Sequence, residues 1–212
     1  MVTELKNEDI SHLEGIMLKD GILQVVDYER IKDFTTNQMC LFCVRHAVYQ
    51  IVTTELVNFI KGEIGTKKAI EIGGGNGCLG RALGIPVTDL KAQENSDVQA
   101  MYRLMQQPVI TYGQDVVKME AMDAISTYAP DVVVSAWVTQ RWKPGIKHGF
   151  DRGVSETYYK GKIEKYIFVG NEGPHGDKEI MKMYPVKKYK FDWLVSRSWY
   201  KGKNCIWVFD CA

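Results

Sequence analysis

The feature that most constrains the fold is a glycine-rich stretch at residues 67–84, KKAIEIGGGNGCLGRALG. Its apolar run at Ala69–Ile72 has the length of a strand, and the residues at Leu79–Leu83 indicate the start of a helix. Glycine tolerates a positive φ and lets the backbone approach a ligand closely, while the first turn of a helix presents unpaired N–H groups. The stretch therefore predicts a strand, a glycine turn and a helix that together cradle a nucleotide-like ligand.

The glycines of this turn fit two patterns, and the first is G-x-G-x-x-G. Residues Gly75–Gly80 match it literally, and the pattern is typical of folds that bind a nicotinamide dinucleotide. In those folds the first glycine closes the strand, whereas two residues, Gly73 and Gly74, separate this frame from the end of the apolar run. An NAD(P)-dependent oxidoreductase is therefore the alternative function.

The second pattern is an acidic residue followed by glycine at every second position. Glu71 begins it, and Gly73, Gly75 and Gly77 continue it, with Asn76 before the last glycine. This spelling resembles motif I of the class I S-adenosylmethionine-dependent methyltransferases, in which a carboxylate on the first strand helps to organise the site around the amino-acid portion of the cofactor. A carboxylate repels a pyrophosphate but tolerates a sulfonium ligand with an ammonium group, so this pattern is favoured. The resemblance implies that these five residues bind S-adenosylmethionine.

Two further carboxylates follow the pattern of the same family. Asp89 ends a short second strand, at the position where nucleotide-binding folds hold the ribose hydroxyls. The run Pro108–Tyr112 predicts the third strand, and the residues after it resemble the motif with which the family binds adenine. The resemblance implies cofactor contacts from Gln114, Asp115 and Val116.

The clearest buried strand is Asp131–Trp137, since a parallel strand covered on both faces forms a continuous apolar run. In the family this fourth strand ends at the methyl-transfer site. The resemblance places Ser135 at the cofactor and implies that Trp137, Arg141 and Trp142 line the acceptor pocket. Aromatic faces stack on planar groups there, and Arg binds an anion. No catalytic residue is assigned, because the sulfonium already activates the methyl group and the protein mainly aligns the reactants.

The end of the chain predicts how the sheet is completed. Lys165–Gly170 is a fifth strand, and Phe191–Tyr200 and Asn204–Phe209 predict a β-hairpin that turns at Lys201–Lys203. A parallel sheet finished by such a hairpin is typical of class I methyltransferases. The resemblance implies an α/β fold with a doubly wound, mostly parallel, seven-stranded sheet that ends in an antiparallel C-terminal β-hairpin and carries an N-terminal helical extension.

The N-terminal part of the chain is predicted to be a separate helical segment. Residues 1–62 form it and pack on the core, while residues 63–212 form the Rossmann-like methyltransferase domain. The polar cluster Thr35–Asn37 predicts the cap of one long helix that runs to about Lys61.

The cysteines and the apolar runs indicate the compartment. The first residues are charged, and no apolar run is long enough to span a membrane, so a cytoplasmic protein with five reduced thiols is expected. Cys40 and Cys43 form a C-x-x-C that matches a metal or redox pair, but packing in the core is the favoured interpretation. A structural zinc site needs four ligands and no second pair is evident, so no metal is expected.

Charge is distributed unevenly along the chain. Residues 1–140 contain 12 Lys and Arg against 18 Asp and Glu, a net charge of −6, whereas residues 141–212 contain 15 against 8, a net charge of +7. A basic C-terminal third predicts an anionic or planar acceptor, and a nucleic acid has both properties. The sequence favours a methyltransferase whose acceptor is a small molecule, a nucleic acid or a protein. A non-catalytic S-adenosylmethionine-binding protein of the same fold is the third interpretation.

Overall fold

The computed structural model describes residues 5–138, 154 and 156–212. Within these ranges seven strands form one sheet, and a two-stranded hairpin lies near the amino end. In chain order, the helices and strands are α1 (Ser11–Met17), β1 (Leu18–Lys19), β2 (Ile22–Leu23), α2 (Thr36–Arg45), α3 (Thr54–Ile64), β3 (Ala69–Ile72), α4 (Cys78–Leu83), β4 (Val87–Asp89), α5 (Ser96–Leu104), β5 (Val116–Lys118), α6 (Ala121–Tyr128), β6 (Val132–Ala136), β7 (Lys165–Asn171), α7 (Glu172–His175), β8 (Val186–Tyr189) and β9 (Asn204–Asp210).

The large sheet has the strand order β5-β4-β3-β6-β7-β9-β8. The first five of these strands are parallel to one another, and β9 pairs antiparallel with both β7 and β8. The chain runs outward from β3 to β5 on one side, and then crosses to β6 and β7 on the other. The predicted fold class, a doubly wound and mostly parallel sheet with an antiparallel end, is confirmed.

Successive side chains of the central strands point to opposite faces of the sheet. Ala69, which is paired with Val132, belongs to the apolar cluster on one face. Ile70, paired with Val133, belongs to the cluster on the other face. Because both faces are covered, β6 carries apolar residues without alternation, and the predicted buried strand is confirmed.

The N-terminal segment covers one face of the sheet. Leu13 of α1, Phe42 of α2 and Ile60 of α3 are buried in the same apolar cluster as Val132 of β6. Burial of such side chains removes apolar surface from water, which stabilises the docked arrangement. This apolar cluster contains residues from both sides of position 62. The predicted division of the chain there stays a prediction.

The prediction of one long helix from residue 36 to Lys61 is wrong, because the chain forms two helices there. The capping box at Thr35 is present, with Gln38 as its second partner, so the predicted start is confirmed. The first helix ends at Arg45, and Ala47 has a positive φ of 50°, which no α-helix continues through. A new cap at Thr53 then starts α3.

The predicted third strand at Pro108–Tyr112 is also wrong. The backbone N–H of Ile110 donates to the side-chain oxygen of Gln93 (2.7 Å) instead of joining a strand ladder. The third strand is β5, which begins only at Val116 and pairs with β4 from Val87↔Val116 onward.

The antiparallel end of the sheet uses a different first strand from the one predicted. β8 (Val186–Tyr189) pairs with β9, whereas the predicted strand Phe191–Tyr200 lies outside the ladder. The rings of Phe191 and Trp193 stack on each other at 4.3 Å and pack against Phe59 of α3. Lys201–Lys203 form a 3₁₀ turn that leads into β9.

The two cysteines of the C-x-x-C pattern lie buried on α2. Burial raises the pKa of the Cys43 thiol well above its usual range, which keeps it protonated. In the described ranges, no group of three or more His, Cys, Asp or Glu side chains is arranged to hold a metal ion. Helices with the length and apolar character to cross a bilayer are likewise not found there.

Candidate functional site

A cavity of about 250 Å³ lies at the carboxyl ends of β3, β4, β5 and β6. The strand order reverses between β3 and β6, and such a switch point leaves a crevice in which α/β sheets bind ligands. One side, here named the turn wall, consists of Gly73–Asn76 and Asp89. The facing side, named the aromatic wall, consists of Tyr49, Gln50, Trp137 and Val138.

The turn wall owes its shape to glycines in the left-handed region. Gly73, Gly75 and Gly77 have φ values of 67°, 54° and 77°. A Cβ at Gly73 would lie 2.6 Å from the Val138 side chain, so this glycine lets the two walls meet. The strand ends at Ile72 and the turn begins at Gly73, which is the frame of the acidic pattern that starts at Glu71.

Two of the N–H groups at the start of α4 are already bonded to side chains of the protein itself. The Cys78 N–H donates to the side-chain oxygen of Asn76 (2.9 Å). The Gly80 N–H donates to Oε2 of Glu71 (2.7 Å). Unpaired N–H groups at a helix start normally bind anions, so this turn has little left to offer a pyrophosphate.

Glu71 lies beneath the turn and is 1% exposed. Burial raises the pKa of its carboxyl group to about 8, and the negative charge of Asp89 acts in the same direction. The hydrogen bond from Gly80 opposes this rise but does not cancel it. A positively charged ligand in the cavity would favour the ionised form of Glu71.

Asp89 ends β4 and joins the second strand to the turn. Its Oδ2 accepts from the Gly75 N–H (3.0 Å), and its Oδ1 accepts from the Lys91 N–H (2.6 Å). Burial raises the pKa of Asp89 even though both hydrogen bonds lower it. Each carboxylate oxygen keeps a further acceptor position, which can take a ligand hydroxyl.

The residues that follow β5 line the cavity, whereas the set predicted from the sequence lies at the amino end of this strand. Gln114, Asp115 and Val116 do not line it, because they lie at the amino end of β5 rather than beyond its carboxyl end. Asp115 instead pairs with Arg81 (3.1 Å) on the surface. The lining residues are Met119, Glu120 and Ala121. These three residues can be recognised as lining residues only when the position of β5 is known.

The end of β6 carries the centre of the aromatic wall. Trp137 has a φ of 57°, a conformation that a bulky side chain rarely adopts and that is frequent at functional sites. Its indole N–H donates to Gln50 (3.2 Å), and its ring contacts His175 edge-on at 5.1 Å. Burial lowers the pKa of His175 to about 4, so this imidazole is neutral. Ser135 does not line the cavity, since its hydroxyl donates to the Ile72 carbonyl (3.0 Å) and joins β6 to β3.

Three tyrosines from separate parts of the chain also line the cavity. The hydroxyls of Tyr49 and Tyr102 lie 3.2 Å apart, and the Gln93 side chain donates to Tyr102 (3.1 Å). The Gln93 backbone N–H donates to the Tyr112 hydroxyl (3.2 Å). No sequence signal marked these residues, because the docking of the N-terminal segment and of α5 brings them together.

The charge of the cavity has one sign in the part that the structure describes. Three lining residues are acidic, namely Glu71, Asp89 and Glu120, and none of those described is Lys, Arg or His. Glu71, whose pKa burial raises to about 8, adds its negative charge only when it is ionised, and a bound cation would favour that form. Such a wall favours a cation over an anion. The predicted acceptor residues Arg141 and Trp142 lie outside the described residues.

Six of the residues predicted from the sequence come together at the cavity, and their roles there stay predictions. They are Glu71, Gly73, Gly75, Asn76, Asp89 and Trp137. Gly77 does not line the cavity and supports the turn from behind, where a Cβ would lie 2.9 Å from the Val116 side chain.

Comparisons with known proteins find similar solved structures at low sequence identity. No family model and no curated protein matches the chain. A matching solved structure is the SAH complex of SMU.776, a candidate methyltransferase, at 11% identity over 74% of this chain and 48% of that one, with a TM-score of 0.39. A mutant of Spodoptera frugiperda DNMT2 matches at 10% identity over 68% and 49%, with a TM-score of 0.37.

The delta-N METTL16 methyltransferase domain matches at 14% identity over 86% of this chain and 95% of that one, with a TM-score of 0.38. This chain spans about half the length of the SMU.776 and DNMT2 chains, 48% and 49%. The strand order and the antiparallel end of its own sheet are those of the class I S-adenosylmethionine-dependent methyltransferase fold.

Proposed function

We propose that this protein binds S-adenosylmethionine in the cavity and transfers its methyl group to an acceptor. The observation that supports this most is that the protein's own side chains bond two of the N–H groups at the helix start that would otherwise hold a pyrophosphate. Asn76 and Glu71 take the N–H groups of Cys78 and Gly80. A dinucleotide placed there would meet a carboxyl group instead of free donors, so the oxidoreductase alternative loses its main feature.

The residues of the cavity fit a cofactor that carries positive charge at its sulfur and its amino group. The turn Gly73–Asn76, with Glu71 beneath it, would hold the amino-acid portion. Asp89 would accept hydrogen bonds from the ribose hydroxyls. The residues after β5, Met119–Ala121, would lie against the adenine ring, in place of the predicted set Gln114–Val116.

The part played by this chain in the reaction is alignment and exclusion of water. S-adenosylmethionine supplies a methyl group that its positive sulfur already activates. Trp137 is held by hydrogen bonds from its ring to Gln50 and from its backbone N–H to the Val169 carbonyl (2.9 Å). This fixed ring, facing Tyr49, would orient a planar acceptor beside the cofactor and keep water out.

For the acceptor we retain a molecule with a planar group, and a nucleic acid is the form to test first. The basic C-terminal third of the chain, with its net charge of +7 over residues 141–212, would hold the phosphates outside the acidic cavity. Binding to RNA or DNA would then weaken steeply as salt rises, because counterions are released from the phosphates. Gel-shift titrations at low and moderate salt test this, and no binding at low salt favours a small-molecule or protein acceptor.

Isothermal titration calorimetry tests the cofactor assignment. We expect heat of binding with S-adenosylmethionine and S-adenosylhomocysteine and none with NAD. Asp89→Ala should weaken S-adenosylhomocysteine binding by about 1–3 kcal/mol through loss of ribose hydrogen bonds. Asp115→Ala is the matched control, since this carboxylate pairs with Arg81 outside the cavity and should not affect affinity. Binding of NAD in preference to both sulfur ligands would refute the assignment.

Transfer itself is measured separately, with methyl-labelled S-adenosylmethionine and pooled nucleic acids, proteins and metabolites. Label in one acceptor pool is expected, and Asp89→Ala should reduce it when S-adenosylmethionine is below saturation. Tight cofactor binding with no transfer to any pool would favour the non-catalytic interpretation.

A further inference from the structure

A buried ion pair lies behind the aromatic wall, and neither of its residues lines the cavity. The Lys178 ammonium group contacts the Glu156 carboxylate, and their side chains are 2% and 7% exposed. The ammonium also lies 3.9 Å from the centre of the Phe168 ring, and the Tyr166 hydroxyl donates to Glu156 (2.9 Å). A lysine so deeply buried is rare in proteins.

The same lysine holds the backbone of the cavity wall. Its Nζ donates to the Val138 carbonyl (2.9 Å), two residues after the end of β6. The Val138 side chain lies so close to Gly73 that a Cβ there would be 2.6 Å from it. Lys178 is thus bonded to the residue at which the aromatic wall touches the turn wall.

Stability alone is a weak reason for such a pair. Removing two charges from water costs several kcal/mol per ion, and an apolar pair of similar volume is often as stable or more stable. Burial raises the pKa of Glu156 despite the nearby ammonium group, which indicates that desolvation is incompletely offset. The hydrogen bond to Val138 is a contact that an apolar pair would not replace.

We propose that Lys178 is a positioning residue that fixes the Val138 backbone, with Glu156 as its buried counterion. By this bond it sets the separation between Trp137 and the glycine turn. The effect on S-adenosylhomocysteine affinity rests on the proposed function, whereas the effect on the backbone does not.

The test is the double variant Lys178→Met/Glu156→Leu, which removes both charges and keeps apolar volume. Hydrogen–deuterium exchange is followed at the Trp137 amide, which donates to the Val169 carbonyl in the folded protein (2.9 Å). We expect the Trp137 amide to exchange at least about five-fold faster, because the variant loses the hydrogen bond to the neighbouring Val138 carbonyl. The denaturant midpoint should stay near that of the unsubstituted protein. S-adenosylhomocysteine affinity should fall by a similar factor.

The matched control is Lys165→Met/Glu63→Leu, at the amino end of β7 and away from the cavity. There the lysine contacts the Glu63 carboxylate (3.0 Å) and carbonyl (2.6 Å). This variant should leave both the Trp137 exchange and the ligand affinity unchanged. Equal effects of the two double variants on Trp137 exchange would overturn the proposal.

A second variant keeps the proposal testable if the first does not fold. Lys178→Gln/Glu156→Gln removes both charges and keeps polar side chains, and the glutamine at position 178 is shorter than lysine, so we expect it to lose the bond to the Val138 carbonyl. The same faster exchange at Trp137 is expected, and exchange at the original rate overturns the proposal. If the unsubstituted protein fails to bind S-adenosylhomocysteine, the proposed function fails, while the exchange data still decide the role of Lys178.

Discussion

The two walls of the cavity differ in how far apart along the chain their bonded partners lie. In the turn wall and the start of α4, the hydrogen-bonded residues are 2, 9 and 14 positions apart. In the aromatic wall, Trp137 is bonded to Gln50, 87 positions away, and Val138 to Lys178, 40 positions away. The turn wall is a local structure, and the aromatic wall is an assembly of remote segments.

Because of this difference, we expect the two walls to respond differently to amino-acid substitutions. Short loops cost little entropy to close, so the β3–α4–β4 unit can form its own hydrogen bonds once the strands pair. The aromatic wall combines Tyr49 and Gln50 of the N-terminal segment with Trp137 and Val138 after β6, so it requires these segments to be docked together. A change in the aromatic wall should therefore leave the turn wall intact, whereas a change under the turn should disturb the whole cavity.

The largest effect is expected from a methyl group placed beneath the turn. In Gly80→Ala the new Cβ would lie 2.6 Å from Oε2 of Glu71 and would also contact Val87. Overpacking of this kind costs typically about 1–3 kcal/mol and occasionally more, and we expect the upper end because the helix start must shift. Denaturant unfolding and S-adenosylhomocysteine titration measure both losses.

The control for this change is Gly62→Ala, in α3, where nothing lies within 4 Å of the added methyl group. It should stabilise the protein by about 0.5–1 kcal/mol, because alanine favours helix more than glycine does. If Gly80→Ala is as well tolerated as Gly62→Ala, α4 does not pack closely on Glu71.

A smaller effect is expected from the long-range bond of the aromatic wall. Gln50→Ala removes the acceptor of the Trp137 indole N–H and the donor to the Val195 carbonyl (2.7 Å). Unpaired buried groups cost about 1–3 kcal/mol, so we expect a loss of about 2 kcal/mol in unfolding free energy. Exchange of the Gly75 and Gly80 amides should not change, and protection lost at both would show that the walls are not independent.

The comparison variant is Gln24→Ala, whose side chain donates to the nearby Ile22 carbonyl in an exposed position. It should alter the unfolding free energy by less than about 0.5 kcal/mol.

The smallest effect, counted per pH unit, is a dependence of the unfolding free energy on pH that comes from Glu71. Its pKa is 4.5 in an exposed setting and about 8 in the folded protein. Between these values the unfolded chain releases the proton and the folded chain keeps it, so the contribution of Glu71 to stability is fully present below pH 4.5 and is lost as pH rises to about 8. Glu71→Gln should remove this part of the slope, about 1 kcal/mol per pH unit, in unfolding curves of the ligand-free protein.

An identical slope in Glu71→Gln and the unsubstituted protein would mean that Glu71 is ionised in the folded state. Asp89→Asn is a useful second comparison, since burial raises the pKa of Asp89 in the same direction.

The local character of the turn wall explains why the sequence predicted it. The strand, the spacing of Gly73 and Gly75, and Asp89 are all signals that a short segment carries by itself. The buried strand β6 was equally readable, because coverage of both faces leaves no polar residue in its first three positions, Val132–Val134.

The third strand was not readable for the opposite reason. β5 has only three residues, and two of them, Val117 and Lys118, are exposed at the edge of the sheet. The more apolar run Pro108–Tyr112 looked like a better strand, but Ile110 is bonded to a side chain. Tyr49, Gln50 and Tyr102 were missed because only tertiary docking brings them to the cavity.

A crystal structure of the protein with S-adenosylhomocysteine tests the central claim most directly. We predict the amino-acid portion beside Gly73–Asn76, the ribose hydroxyls within hydrogen-bonding distance of Asp89, and the adenine against Met119–Ala121. The Glu71 bond to the Gly80 N–H should remain in place. A ligand bound outside the cavity, or a dinucleotide whose pyrophosphate displaces Glu71 from the start of α4, would contradict the assignment.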